Sequence, residues 1–102
     1  MPIQPKMYVL VRLDLSEAYR FVQGSHALAQ YALEYPMLFS VWGNSTICFL
    51  GVRNLIELRR VIEKLLVSGK KYSCFNEPDL DGQRTSIACF DTGEIFKELK
   101  TA

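Results

Sequence analysis

Two continuous apolar runs, Met7 to Leu13 and Thr46 to Val52, are each followed by a stretch whose apolar residues recur at steps of three and four. That succession constrains the fold more than any other feature of the chain. A strand that is apolar at nearly every position must be covered on both faces. An amphipathic helix has one stripe to bury. Two such units in series imply parallel neighbouring strands, right-handed crossovers, and helices as the cover.

The spacing places the elements as follows. After Met7–Leu13, Asp14 and Glu17 stand three apart, as in a capping box with Asp at the cap. A helix is predicted from there to about Tyr35, where Pro36 blocks continuation. Its stripe comprises Ala18, Phe21, Val22, Ser25, Leu28, Ala29, Ala32 and Leu33. Met37 to Ser45 reads as a loop turning at Gly43 and Asn44. The cluster of Tyr35, Met37, Phe39 and Trp42 there is either an exposed interface or a cover folded over the sheet, and the cover is the expectation. Thr46–Val52 is the second strand, and a helix from about Asn54 to Val67 buries Leu55, Leu58, Val61, Ile62 and Leu65. Ser68-Gly69 ends that helix. Lys71–Phe75 is a short third strand, Asn76–Gln83 a loop, Arg84–Phe90 a fourth strand, and Thr92 or Gly93 starts a short terminal helix. The order β-α-β-α-β-β-α gives the fold class as α/β, a three-layer sandwich around a mixed four-stranded sheet, with residues 1–102 forming one domain.

Composition removes several function classes. Lys and Arg total 12 against 11 Asp and Glu, a net charge of +1, without the basic excess that phosphate-dominated binding favours. The three cysteines, Cys48, Cys74 and Cys89, each lie in a strand-like run, form no C-x-x-C pair, and are far in sequence from the one histidine. A structural zinc site needs four ligands in close pairs, so free thiols in a reducing cytosol are expected. No run approaches the ~18 apolar residues of a membrane helix, and Met1 to Lys6 has no leader-like stretch. The expectation is a cytoplasmic protein without membrane contact.

Ligands of open α/β sheets favour the carboxyl ends of the parallel strands. Here that edge gathers Asp14, the first turn of the first helix, the segment around Arg53, and the loop Asn76–Gln83. Within the first helix, Gln23-Gly24-Ser25-His26-Ala27 is a small-residue stretch that suits close helix-on-sheet packing, or places Gln23 and His26 beside a site. Glu77-Pro78-Asp79-Leu80-Asp81 is a solvated acidic loop, or supplies a general base from Asp79 or Asp81. The segment shows too few oxygen ligands for a divalent metal. Thr85 pairs with backbone, or orients a water or an oxyanion. Arg53, Arg60 and Lys64 share one side of the second helix, while Arg12, Arg20 and Arg84 are scattered; a solvated face and a phosphate-binding patch both fit. No P-loop, G-x-G-x-x-G or G-x-S-x-G motif is present.

Met-Tyr-Val-Leu-Val-Arg-Leu-Asp-Leu leading into a helix with Gln-Gly-Ser-His-Ala-Leu-Ala resembles the type II peptidyl-tRNA hydrolases. In that family the first strand ends in Asp-Leu and the next helix carries Gln-Cys-x-His-Ala. The acidic loop before Thr85-Ser86-Ile87-Ala88 is similar to the family's last loop and threonine-bearing strand. The resemblance spans nearly the whole chain. It implies strand order 2-1-4-3, hydrolysis of the ester between peptide and tRNA, no metal or organic cofactor, tRNA as partner, and homodimers. It assigns catalytic positions to Gln23, His26, Thr85 and either Asp79 or Asp81. Tyr19 stands where the family has a lysine, four residues before Gln23, and Gly24 stands where it has cysteine. Tyr19 and the adjacent Arg20, together with the basic residues Arg53 and Arg84, are the candidates for substrate contact, with Arg20 clamping a phosphate or steadying an oxyanion.

Overall fold

The computed structural model describes residues 3–102. The apolar runs become β1 (Lys6–Arg12) and β2 (Ile47–Val52), and the periodic stretches become α1 (Glu17–Glu34) and α3 (Leu55–Val67). Strands β1 and β2 pair in parallel, Met7 opposite Ile47 through Arg12 opposite Val52. Strand β4 (Gln83–Asp91) runs antiparallel to β1 on its other side, and β3 (Ser73–Glu77) runs antiparallel to β4. Because β3 thereby points the same way as β1, the carboxyl ends of β1, β2 and β3 share one edge with the start of β4.

Side chains of β1 alternate between two cores, so that consecutive positions are buried, as a doubly covered strand requires. Met7, Val9 and Val11 join Ala27, Tyr31, Trp42 and Ala88 in a core under α1 and α2 (Pro36–Trp42). Leu10 joins Leu50, Val52, Leu58, Val61, Ile62, Leu65, Ile87 and Phe96 in a second core under α3. Helices thus cover both faces of the sheet.

Five differences from the sequence reading have local physical causes. The four-stranded sheet in order 2-1-4-3 is corrected to five strands, β3-β4-β1-β2-β5, because Lys100–Thr101 (β5) returns to pair with β2. The expected terminal helix is a 3-10 turn at Glu94–Phe96 ahead of that strand. Pro36 ends α1 and also opens α2, where its missing N–H costs nothing at the first helical position. The segment read as a loop is therefore helical to Trp42, and Gly43 closes it at φ 63°. Asp14 is not the helix cap: Arg12 holds it, and Ser16 accepts the Tyr19 N–H instead. Finally, β3 runs on to Glu77, because a residue before proline is driven to extended backbone.

The buried stripe of α1 also differs from the expected one. Phe21, Val22 and Ser25 are exposed, and the helix seats Gln23, Gly24, Ala27 and Tyr31 on the sheet. Gly24 permits that approach: a Cβ there would stand 2.5 Å from the Phe49 ring and 3.1 Å from Val11 Cγ1. Gly24→Ala gains up to about 1 kcal/mol of helix propensity, but overpacking of this kind costs about 1–3 kcal/mol. A net destabilisation of about 1–2 kcal/mol is expected from urea unfolding, and a more stable Ala variant would mean that the Phe49 ring moves aside freely.

The aromatic segment folds inward at Trp42, whose Nε1 donates to the Thr46 carbonyl at 2.8 Å, while Met37 stays exposed. The three cysteines are free, and burial pushes the Cys74 thiol up to about 11 and the Cys89 thiol up to about 12. Among the described residues no helix is long and apolar enough to cross a membrane.

Candidate functional site

A polar chain crosses from β4 through α1 to the end of β3. The Thr85 hydroxyl donates to Gln23 Oε1, and Gln23 Nε2 donates to Glu77 Oε1 at 2.8 Å. Tyr19, one helical turn before Gln23 on α1, donates its hydroxyl to the same Glu77 oxygen at 3.0 Å. Gln23 and Thr85 are fully buried and Glu77 is 9% exposed, whereas Tyr19 is half-buried. The amide orientation of Gln23 follows from chemistry: an ionised carboxylate only accepts, so the NH₂ must face Glu77 and the oxygen must face the Thr85 hydroxyl. Alongside, the Ser86 hydroxyl donates to the Gln23 backbone carbonyl at 2.6 Å and ties α1 directly to β4.

Glu77 Oε1 therefore carries two donors. Among the described residues, Oε2 has only the Asp79 N–H at 3.4 Å. The Gln23 and Tyr19 hydrogen bonds hold the Glu77 carboxyl below its ordinary range against the opposing effect of burial, helped by the Asp79 N–H and by His26. The Tyr19 hydroxyl shifts upward, chiefly by desolvation and by its bond to Glu77. The group is thus a carboxylate at neutral pH with one oxygen held by two donors and the other by a single long contact. Its folded-state value lies below 4.5, so its contribution to stability is complete above that value and is lost as the pH falls through the folded one.

The other sequence candidates fall around this chain in different roles. His26 is exposed and stacks on Phe75 with ring centroids 4.4 Å apart. Asp79 and Asp81 are exposed in the turn after β3, and Asp81 has φ 55°. Arg20 donates to the Leu15 carbonyl at 2.8 Å and the Leu13 carbonyl at 2.7 Å, which closes the β1–α1 turn. Arg53, just before the Asn54 cap of α3, pairs with Glu57 in the helix's first turn at 2.8 Å and is largely exposed. Arg84 is exposed, and its carbonyl accepts from Arg12 at 3.1 Å. Gln23 and Thr85 are therefore brought together, while Asp79, Asp81, Arg53 and Arg84 are not bonded to them.

Glu77 is the functional candidate that the sequence reading passed over in favour of its neighbours Asp79 and Asp81. The signal was available in Glu77-Pro78. Proline extends the residue before it, which places Glu77 at the carboxyl end of a strand rather than in the loop. Among the described residues no three His, Cys, Asp or Glu side chains gather as a metal would require.

No protein-family model matches the chain, and no curated protein does. Among solved structures it is similar to a protein of unknown function, Atu0240 from Agrobacterium tumefaciens strain C58. The TM-score is 0.75 at 12% identity, with 99% of each chain covered. At that identity the likeness speaks for a shared mixed α/β fold alone.

Proposed function

We propose that the chain is a peptidyl-tRNA hydrolase-like protein that cleaves the ester between peptide and tRNA with Glu77 as the general base. The observation that carries this reading is the Thr85–Gln23–Glu77 relay. Two candidate residues 62 positions apart bond to each other, and one of them, Gln23, holds a carboxylate at the sheet edge where α/β folds bind ligands. In this reading Glu77 Oε2 takes a proton from water as the water oxygen attacks the ester carbonyl. The C–O bond to the ribose then breaks, and the ribose oxygen takes the proton back from Glu77 and leaves as a hydroxyl. Gln23 and Thr85 fix the carboxylate and do not touch substrate; Asp79, Asp81 and Arg84 lie on the rim. The peptidyl-tRNA hydrolase II-like assignment, a cytoplasmic setting, tRNA as partner and a homodimer belong to the same proposal.

A second reading, a non-catalytic relative that binds RNA, a nucleotide-like ligand or a protein, has its own support. Arg12 and Arg20 give their guanidinium groups to protein acceptors, and Tyr19 stands in the lysine position. That leaves oxyanion stabilisation without an evident cation.

Release of free tRNA from peptidyl-tRNA separates the two. The first reading expects turnover that falls about 10²–10⁴-fold in Glu77→Gln, the range for loss of a general base, and that survives in the Asp79→Asn, Asp81→Asn double variant. No release above background from the folded wild type would sink the hydrolase and leave the binding protein.

A further inference from the structure

We infer that Tyr19 is a positioning residue for Glu77, fixing the carboxylate so that Oε2 is the oxygen offered to a ligand or water. As regards catalysis this rests on the hydrolase reading; as regards the carboxylate it does not.

The geometry is specific. Tyr19 and Gln23 stand four apart on α1 and so share a face. Both donate to Oε1, at 3.0 and 2.8 Å, from a helix packed against the strand that carries Glu77. Two donors on one oxygen fix the carboxylate against rotation, and Oε2 keeps only the 3.4 Å contact from Asp79 N–H. Gln23 reaches Oε1 from the buried side, with its amide held from behind by Thr85. Tyr19 is half-buried and closes the network toward solvent. The titratable groups acting on Glu77 are Tyr19 and His26 from α1; Asp79 in the following turn contributes its backbone N–H, and Gln83, opposite on β4, is neutral. His26 and Asp79 are unchanged when only the Tyr19 hydroxyl is removed, so the difference between the two proteins reports on Tyr19.

Tyr19→Phe keeps the ring and deletes the donor. Carboxyl carbon NMR on Glu-labelled protein would follow the Glu77 titration in wild type and variant, with circular dichroism checking the fold. The Glu77 midpoint is expected at higher pH in the variant, since a bond that favours the charged form is gone. On peptidyl-tRNA, kcat is expected to drop about 10- to 100-fold, the worth of one hydrogen bond to a charged group, with KM unchanged and the acid limb of the profile moved the same way as the carboxyl titration. An unchanged Glu77 titration would overturn the inference whether or not the protein is a hydrolase. A shifted titration with unaltered kcat would overturn its catalytic part. If the wild type shows no turnover, the hydrolase reading fails separately and the titration alone decides the role of Tyr19.

Discussion

Asp14→Ala is expected to lower the unfolding free energy by about 1–3 kcal/mol, more than its exposed position suggests. Arg12 is 6% exposed, and its guanidinium makes a two-pronged contact with Asp14, at 3.0 and 2.7 Å, beside bonds to Gln83 Oε1 and the Arg84 carbonyl. Removing the carboxylate leaves a buried cation without its counter-ion, a change that costs about 3–5 kcal/mol where the pair is fully buried. The Asp14 side chain is 39% exposed, so water screens part of the attraction, and Arg12 retains its two neutral acceptors. Hence the lower figure. Urea unfolding at neutral pH, with m unchanged, measures it. The pH dependence gives a second readout. The Arg12 hydrogen bonds lead the causes that hold the Asp14 carboxyl below its ordinary 3.8, against some burial. A group lowered in the folded state stabilises above its unfolded value and loses that contribution as the pH falls through the folded one. The gap between wild type and Asp14→Ala is therefore expected to be full at neutral pH and to narrow below about pH 4. A gap that persists to the same depth in acid would mean that Asp14 acts through the turn backbone and not through its charge.

The same pair shows where sequence reading reached and where it stopped. Apolar patterning exposed β1, β2 and α3, because a strand covered on both faces and a helix with one stripe leave periodic marks. Arg12 sits within such a run, yet its partners include Gln83 and Arg84, some seventy positions away, and nothing periodic announces them. Asp14 carries the spacing of a helix cap, and a buried guanidinium two residues earlier out-competes the cap. The two residues of β5 are polar and exposed, so no apolar pattern marks them; pairing with β2 decides their conformation. Pro36 was legible as a stop for α1, but the same residue is well suited to start a helix, and the apolar segment behind it decides between the two.

The candidate site was legible in its parts and not in its assembly. Gln23 was marked by its place in a small-residue stretch of α1, and Thr85 by its place at a strand start. The choice among Glu77, Asp79 and Asp81 turned on which carboxylate the strand carries to the edge. That choice depends on β3 running two residues past Phe75, across an irregular step in its pairing with β4 between Phe75 and Asn76. Periodicity does not survive such a bulge, because it shifts which residues share a face. An exposed turn containing two aspartates then looks the stronger candidate, although the less conspicuous Glu77 is the one that meets the buried amide.

Thr85→Val and Gln23→Leu test the assembly directly, and their combination is expected to be strongly non-additive. Valine keeps the shape of Thr85 but removes the donor to Gln23 Oε1, in a place with no water access. A buried acceptor left unsatisfied costs about 1–3 kcal/mol. Gln23→Leu removes the amide altogether. It leaves the Thr85 hydroxyl only the Phe75 carbonyl at 3.4 Å and takes one of two donors from Glu77 Oε1. In the double variant neither the orphaned amide oxygen nor the orphaned hydroxyl exists, so its destabilisation should fall short of the sum of the single changes by about 1–2 kcal/mol, within the range for residues sharing one network. Function should divide differently from stability. Thr85→Val leaves the Gln23 bond to Glu77 in place and is expected to change turnover less than Gln23→Leu does, because only the latter frees the carboxylate. Additive stabilities would mean that Thr85 and Gln23 are not bonded in solution. Gln23 would then reach Glu77 without support from Thr85, and the three-residue relay on which the catalytic reading depends would be absent.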